Sequence, residues 1–273
     1  MTHSARRVLL YVVLAVAAAA VLLPFFWIVV SSLKTDNTVF TSPPRWLPDA
    51  PQWHNYVRIW SASDILTWFK NSAILAVLIT FLQVLTGSFA AYGFAKGRFP
   101  GRNALFLTYV ATIAVPWPAY MIPQFIMLSE VGMTNTLWSI VALQAFGAFG
   151  VFLMKQYYET IPDELIEAAR IDGLSEYGIY ARIVLPLSVP ALASLGLISF
   201  VTAWNDYLGP LIYLRDRDVW TIQIGLDKFV DQYQAQFSLV MTGAVLAIVP
   251  IVAVFLVGQR HFVQGIASTG LKG

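Results

Sequence analysis

Apolar residues run along this chain in blocks too long for strands and too continuous for half-exposed helices. Six blocks read as helices, roughly Val8–Val30, Ile74–Phe94, Ala104–Leu128, Leu137–Met154, Leu187–Ala203 and Leu239–Val257. Each approaches the roughly 20 residues that a helix needs to cross the hydrocarbon of a bilayer. Backbone groups in lipid are satisfied only within helices or closed barrels. The pattern therefore predicts an all-α integral membrane protein with six transmembrane helices, the fifth extending towards Leu214. The first block outlasts the apolar core of a signal peptide, running on through Phe25, Phe26 and Trp27, and is expected to stay as an anchor. Pro116, Pro118 and Pro123 interrupt the third block. Backbone groups freed there would bend it or line a cavity.

Composition agrees. The 273 residues are 58% hydrophobic and 12% charged, where a soluble domain is about half apolar and a quarter charged. The chain has no cysteine, which excludes disulfides and thiolate metal sites. His3, His54 and His261 lie far apart and lack metal-ligand spacing. A net charge of +2 gives no reason to expect nucleic acid.

Charge also orients the spans. With six spans both termini share one side, which holds 10 Lys and Arg against 7 on the other; with acids counted, 10 − 6 = +4 against 7 − 9 = −2. The short basic turn "KGRFPGR" (Lys96–Arg102) is the strongest single signal, because Lys and Arg in short loops stay cytoplasmic. Both termini are thus expected in the cytoplasm. The opposite side carries "SPPRWLPDAPQWHNYVRIW" (Ser42–Trp60), where Pro44, Pro48 and Pro51 argue against a regular helix in the first half. Trp46, Trp53, Trp60 and Trp68 suit the outer membrane–water interface, as anchors or as a lip for an external partner.

One segment breaks the apolar pattern between the fourth and fifth blocks. "ETIPDELIEAARIDG" carries Pro162 near a helix start, Asp163 and Glu164 at the positive end of the helix dipole, and Gly173 where a left-handed residue ends a helix. The expected helix runs from Ile161 to Asp172, with Ile161, Leu165, Ala168 and Ala169 on one face and Asp163, Glu164 and Glu167 on another. A second short helix follows from about Ser175, and Pro186 opens the fifth span. This helix is too short and too charged to cross a membrane. Its acidic start does not suit a helix lying on the lipid surface, which prefers Lys and Arg. A solvated connector and a helix docked in a partner's groove both remain open.

The order Glu167-Ala168-Ala169, three residues, Gly173, nine residues, Ile183, one residue, Leu185-Pro186 fills every anchor of the pattern EAA-x3-G-x9-I-x-LP. It resembles the EAA loop of permeases of binding-protein-dependent ABC importers. "FVTAWNDYLGPLIYL" (Phe200–Leu214), the ending "GQRHFVQGIASTGLKG" (Gly258–Gly273), "SSLKT" and the pair Asn55 and Tyr56 are similar to the carbohydrate-uptake class, its MalG-like subunits. The resemblance implies a type I importer permease fold in a bacterial inner membrane. Residues 1–70 would be the anchor span and outer loop. Residues 71–258 would be the core, with the EAA loop at 159–186, and 259–273 a tail reaching towards an ATPase. It also implies that the EAA segment is a coupling helix seated in a cytoplasmic ATPase subunit. Glu167 would pair with a basic or polar group there, Ala168 and Ala169 would permit close packing, and Gly173 would make the turn.

No GxxxxGK[ST] phosphate loop is present, so this chain is not expected to be an enzyme or to bind a cofactor. ATP and Mg would belong to two partner ATPase subunits. A second, different permease and an extracytoplasmic solute-binding protein complete the expected assembly.

Polar residues within spans are functional candidates because they are costly in lipid. Gln124 and Asn205, with the aromatic Tyr120, Trp117 and Trp204, are candidates for a solute pathway, since aromatic faces suit the C–H faces of sugar rings. Gln83 and Gln144 are expected to hydrogen-bond between helices. A sugar such as maltose or trehalose, or a glycerol-phosphate-type solute, fits this reading. A secondary transporter or channel would more often show internal repeats and carboxylates deep in the spans, and none lies deep in a span here.

Overall fold

A computed structural model describes residues 3–232 and 236–270, with side chains from 6–230 and 236–259. Among the described residues all regular structure is helical, with no strand. In chain order the main helices are α1 (His3–Ser32), α2 (Asn55–Ala62), α3 (Ile65–Lys96), α4 (Arg102–Ala111), α5 (Met121–Glu130), α6 (Leu137–Gln144), α7 (Ala148–Tyr158), α8 (Asp163–Ile171), α9 (Val189–Trp204), α10 (Leu208–Tyr213), α11 (Ile222–Gln232) and α12 (Phe237–Gly270). Four helical stretches are long and apolar enough to cross a membrane: Arg6–Ser32, Ile65–Lys96, Leu137–Tyr158 and Phe237–Gln259. A fifth arises if Glu176–Leu187 and Val189–Trp204, bent by 79°, count as one broken span.

The third apolar block differs from a single continuous helix. α4 ends at Ala111, two short 3₁₀ turns follow, and α5 starts at Met121. Pro116 and Pro118 fall in the break, where each removes a backbone donor and crowds the preceding turn, while Pro123 sits in the first turn of α5, where no intrahelical bond is lost. The fifth block also departs from expectation. It does not open at Pro186 or continue to Leu214; α9 starts at Val189 with Pro190 in its first turn and stops at Trp204. Upstream, Tyr180–Val184 widens into a π-helix, where the Leu185 N–H reaches back to the Tyr180 carbonyl. Pro186 accounts for this, because its ring cannot sit against the carbonyl four residues earlier in a regular turn. The bend falls at buried Ser188, whose hydroxyl donates to the Val184 carbonyl at 2.7 Å.

The chain divides into two compact units. The first comprises Met1–Leu66 and Ile224–Pro250. Most of α1 is exposed, but its end is knotted: the Asn55 amide donates to the carbonyls of Ser32 (2.8 Å) and Lys34 (3.1 Å), and the Ser32 and Tyr56 hydroxyls lie 2.8 Å apart. Lys34 is buried, with its ammonium on the Arg45 carbonyl at 2.5 Å and 4.2 Å from the centre of the Trp27 ring. Asp36 accepts from the Ser238 N–H at 3.0 Å and its hydroxyl at 2.6 Å. "SSLKT" and the Asn55–Tyr56 pair therefore close one hydrogen-bonded corner.

The second unit comprises Thr67–Gln223 and Ile251–Gly273. α3 and α7 approach closely, since a Cβ on Gly87 would lie 3.3 Å from the Gly150 backbone. Beneath the EAA segment, Tyr92, Met154, Tyr158, Ile166, Ala169 and Ile179 belong to one buried apolar cluster. Trp46, Trp53 and Trp60 are exposed, as interfacial rings would be, but Trp68 is buried and packs 6.2 Å from Trp220. The helix of α12 continues to Gly270, and the end of the expected tail, Leu271 to Gly273, lies outside the described residues.

Candidate functional site

A cavity of about 640 Å³ lies in the second unit. The broken third block supplies Trp117, Tyr120 and Gln124, the end of α6 supplies Gln144, the turn after α9 supplies Asn205 and Asp206, and α10 supplies Tyr213. Breaking a helix at membrane depth is tolerated where the freed backbone lines a cavity. Gln124 Oε1 accepts from the Trp117 indole N–H at 3.2 Å and the Tyr213 hydroxyl at 3.0 Å. Gln144 Nε2 donates to Asp206 Oδ2 at 2.6 Å, and the Gly209 N–H donates to Asp206 Oδ1 at 3.3 Å. Asp206 thus ties α6 to the start of α10.

Gln83 plays the interhelical part expected of it. Its amide donates to the Gln144 carbonyl at 2.8 Å, and Ser199 donates to its Oε1 at 2.7 Å. Both glutamines do more than expected, since Gln83 and Gln144 also line the cavity. Tyr120, Gln124 and Asn205 are brought to the cavity. Trp204 is not: it is 1% exposed and packs 5.2 Å from Phe69 and 5.9 Å from Phe200. Asp206 and Tyr213 were not singled out from the sequence. An Asx side chain three residues before a helical N–H is a capping signal, and Asp206 before Gly209 has that spacing. Among the described residues the lining contains amides, phenols, indole and one carboxylate, and no Lys, Arg or His. Such a wall offers hydrogen bonds in both directions and aromatic faces, but no cation for an anionic group.

The EAA segment is a second polar site. α8 begins at Asp163, after Pro162, ends at Ile171 and is closed by Gly173 at φ +83°, beyond which the Leu174 N–H returns to the Ala169 carbonyl at 3.0 Å. This is the six-to-one bond of a Schellman ending, which favours glycine. The buried face differs from the one the pattern suggested. Ile161, Ile166 and Ala169 are buried against the chain's own core, while Leu165 is 46% exposed and Ala168 is exposed. Ala169 therefore packs inward and Ala168 outward. Leu165, Ala168 and Ile171, the last 87% exposed, fall within roughly a third of a turn at 3.6 residues per turn. Exposed Glu164 falls within the same arc and Glu167 at its edge, so the outward face of α8 mixes apolar and acidic side chains. Ile183 and Leu185 pack partly buried against the core, and Pro186 is exposed.

Charged groups fix this segment. Lys96, at the end of α3, donates to Asp163 Oδ1 at 2.6 Å and to the Ile161 carbonyl at 2.7 Å. That hydrogen bond, with the ammonium charge, holds the Asp163 carboxyl below its ordinary pKa. Arg98 reaches Glu167 at 3.2 Å, and Arg170 donates to Glu176 at 2.7 Å.

A helical chain with spans long enough for a membrane, a polar and aromatic cavity within its second unit and a separate charged helix has the build of a solute permease subunit. The chain belongs to the family of binding-protein-dependent transport system inner membrane components, whose profile matches residues 83–268. It is 35% identical to an arabinooligosaccharides transport system permease protein, AraQ, of Halalkalibacterium halodurans, over 80% of this chain and 79% of that one. It is 32% identical to a lactose transport system permease protein, LacG, of Rhizobium radiobacter (95% and 94% covered). It is 31% identical to the sn-glycerol-3-phosphate transport system permease protein UgpE of Yersinia enterocolitica (95% of each). Its fold matches a chain of a bacterial ABC transporter involved in import of the acidic polysaccharide alginate, with a TM-score of 0.83 and 25% identity over 96% of this chain and 99% of that one.

Proposed function

We propose that this chain is a permease subunit of an ATP-driven, binding-protein-dependent importer for a neutral sugar, a disaccharide or oligosaccharide. The observation that carries the choice of solute is the cavity wall. Its amides, phenols and Asp206 can exchange hydrogen bonds with hydroxyl groups, Trp117 and Tyr120 offer aromatic faces, and no described lining residue is cationic. Relatives are named for both neutral sugars and glycerol 3-phosphate. A phosphate monoester entering this wall would meet a carboxylate and no Arg or Lys, the groups that recognise phosphate. A neutral polyol suits it better.

In this reading six passes cross a bacterial inner membrane with both termini in the cytoplasm, the broken third and fifth blocks counting as passes. A different permease subunit forms the other half of the pathway. Two ATPase subunits bind ATP and Mg, and a solute-binding protein delivers cargo from outside. α8 is the coupling helix: its inward face, Ile166 and Ala169, binds it to this chain, and its outward face, Leu165, Ala168 and Ile171 among Glu164 and Glu167, meets the ATPase. Leu165 and Ile171, large apolar side chains left exposed among acids, favour docking over a solvated connector.

The test is uptake into vesicles holding the full complex with its binding protein. Uptake should require internal ATP and survive collapse of ion gradients. A neutral oligosaccharide should compete and glycerol phosphate should not. Uptake that runs without ATP and stops with an ion gradient would overturn the importer reading.

A further inference from the structure

Three polar side chains at four-residue intervals on α3 grip the EAA segment at separate points. Ser88 lies 2.5 Å from the Tyr158 hydroxyl and 2.8 Å from that of Tyr180. Tyr92 donates to Glu176 Oε2 at 2.8 Å. Lys96 donates to Asp163 and to the Ile161 carbonyl, with its side chain only 5% exposed. Residues four apart lie on one face of a helix, so the three form a rail roughly 12 Å long at 1.5 Å per residue. The partners belong to three successive pieces: the end of α7, the start of α8, and the Glu176–Val184 stretch after it. Ser88 is buried, and the Tyr92–Tyr180 ring pair, 5.3 Å apart, fills the space between two of the grips. The exposed Arg98–Glu167 pair lies off this face, at 3.2 Å with both side chains largely in solvent.

We propose that Ser88, Tyr92 and Lys96 are positioning residues that make α3 and the EAA segment one rigid body, so that α3 is the span through which ATPase motion first enters the membrane. The inference rests on the coupling reading of α8. An exposed pair contributes little to such a joint because water and salt compete for it. The Lys96 ammonium is buried and also bonds the carbonyl of buried Ile161, so it keeps an anchor even though Asp163 itself faces water. The buried Ser88, Tyr158 and Tyr180 hydroxyls bond to each other with no water to turn to and hold their geometry.

The test uses the whole importer, with its partner permease, ATPases and binding protein, in vesicles. Lys96→Met should lower solute imported per ATP hydrolysed at least fivefold while ATPase subunits still co-purify, and Lys96→Arg should recover most of the loss. Arg98→Ala should change the ratio less than twofold. A Lys96→Met complex with the normal ratio overturns the proposal.

Because Lys96→Met can disturb folding, a second experiment uses the absence of native cysteine. Tyr92 and Glu176 both line an opening of about 590 Å³, which admits a linker. In Tyr92→Cys/Glu176→Cys the ratio should fall, and a short bifunctional maleimide joining the two should restore it at least threefold. If cross-linking instead stops import, the segment must move against α3 and the rail is wrong. Glu167→Lys reports on the coupling reading alone: loss of import there with a normal Lys96→Met ratio leaves coupling standing and removes only the rail.

Discussion

The cavity and the EAA segment both collect polar groups in an apolar chain, but by opposite means. In the cavity the groups come from separate helices, are mostly neutral, and satisfy one another: Gln124 takes two donors, and Gln144 links Asp206 to Gln83. In the EAA segment the groups come from one stretch and meet α3 and its following turn as ion pairs, Lys96 with Asp163 and Arg98 with Glu167. An amide network in a low-dielectric wall is costly to leave half-made, while an ion pair with both side chains in solvent, as Arg98–Glu167 has, is cheap to make and break. The first suits a surface that must present hydrogen bonds to a passing solute. The second suits a surface that must meet a partner in water.

The comparison breaks first at Glu167. Glu167→Lys places a cation beside Arg98 on the outward side of α8 without touching the buried face. Membrane levels should be normal, while import and binding-protein-stimulated ATP hydrolysis in the complex fall more than tenfold. Unchanged uptake would remove the coupling role and leave α8 a connector.

The cavity side is sharpened by Gln144→Leu. It removes the donor to Asp206 at 2.6 Å and leaves that carboxylate with the Gly209 N–H. Losing one partner of a charged, partly buried acceptor costs about 1–3 kcal/mol, visible as a lowered midpoint in thermal unfolding of the detergent-solubilised complex. Import should fall with it. A variant of normal stability would mean that water replaces the amide freely and that the network is not closed.

These two sites were unequally legible. The EAA segment is consecutive, so its start at Pro162, its stop at Gly173 and its motif spacing are written in one line of sequence. Even there the buried face is not legible. Leu165 and Ala168 are as apolar as Ile166 and Ala169, and only the neighbouring Tyr158 and Ile179 decide which pair turns inward. The cavity needs contacts between residues 61 to 116 positions apart, as Gln83 makes with Gln144 and Ser199. No local pattern encodes them. Trp204 and Asn205 adjoin, yet one is sealed against Phe69 and Phe200 and the other lines the cavity, because α9 ends between them. The prolines were readable as breaks, but that the break at Pro116–Pro123 forms a cavity wall follows from where α6 and α10 stand.

Gly173→Ala probes how firmly the EAA segment is shaped. At φ +83° a Cβ meets no neighbouring atom within 4 Å, so the penalty is conformational alone. It should be about 1–2 kcal/mol, the cost of a left-handed residue with a side chain. Hydrogen exchange over Asp163–Ile171 should speed up by roughly tenfold, a factor that matches about 1.4 kcal/mol, while α7 keeps its protection.

The smallest effect separates charge from neutral bonding. The Lys96 hydrogen bond depresses the Asp163 carboxyl below its ordinary value of 3.8. A group with a depressed folded-state pKa stabilises fully above its unfolded value and loses that contribution as pH falls through the folded one. The tether should therefore hold unchanged from neutral pH down to about 4 and weaken only below it. The Asp163 side chain is 77% exposed, so solvent screens the pair and the change stays small. Hydrogen exchange over α8, corrected for the intrinsic pH dependence of amide exchange, should show protection flat to about pH 4 and then declining. Asp163→Asn keeps an acceptor for Lys96 but removes that titrating group, and its decline should be smaller, with the remainder coming from the Arg170–Glu176 pair, whose carboxyl is also held below its ordinary value. A decline of equal size in that variant would assign the acid sensitivity elsewhere, and the ion pair would no longer distinguish this segment from the cavity.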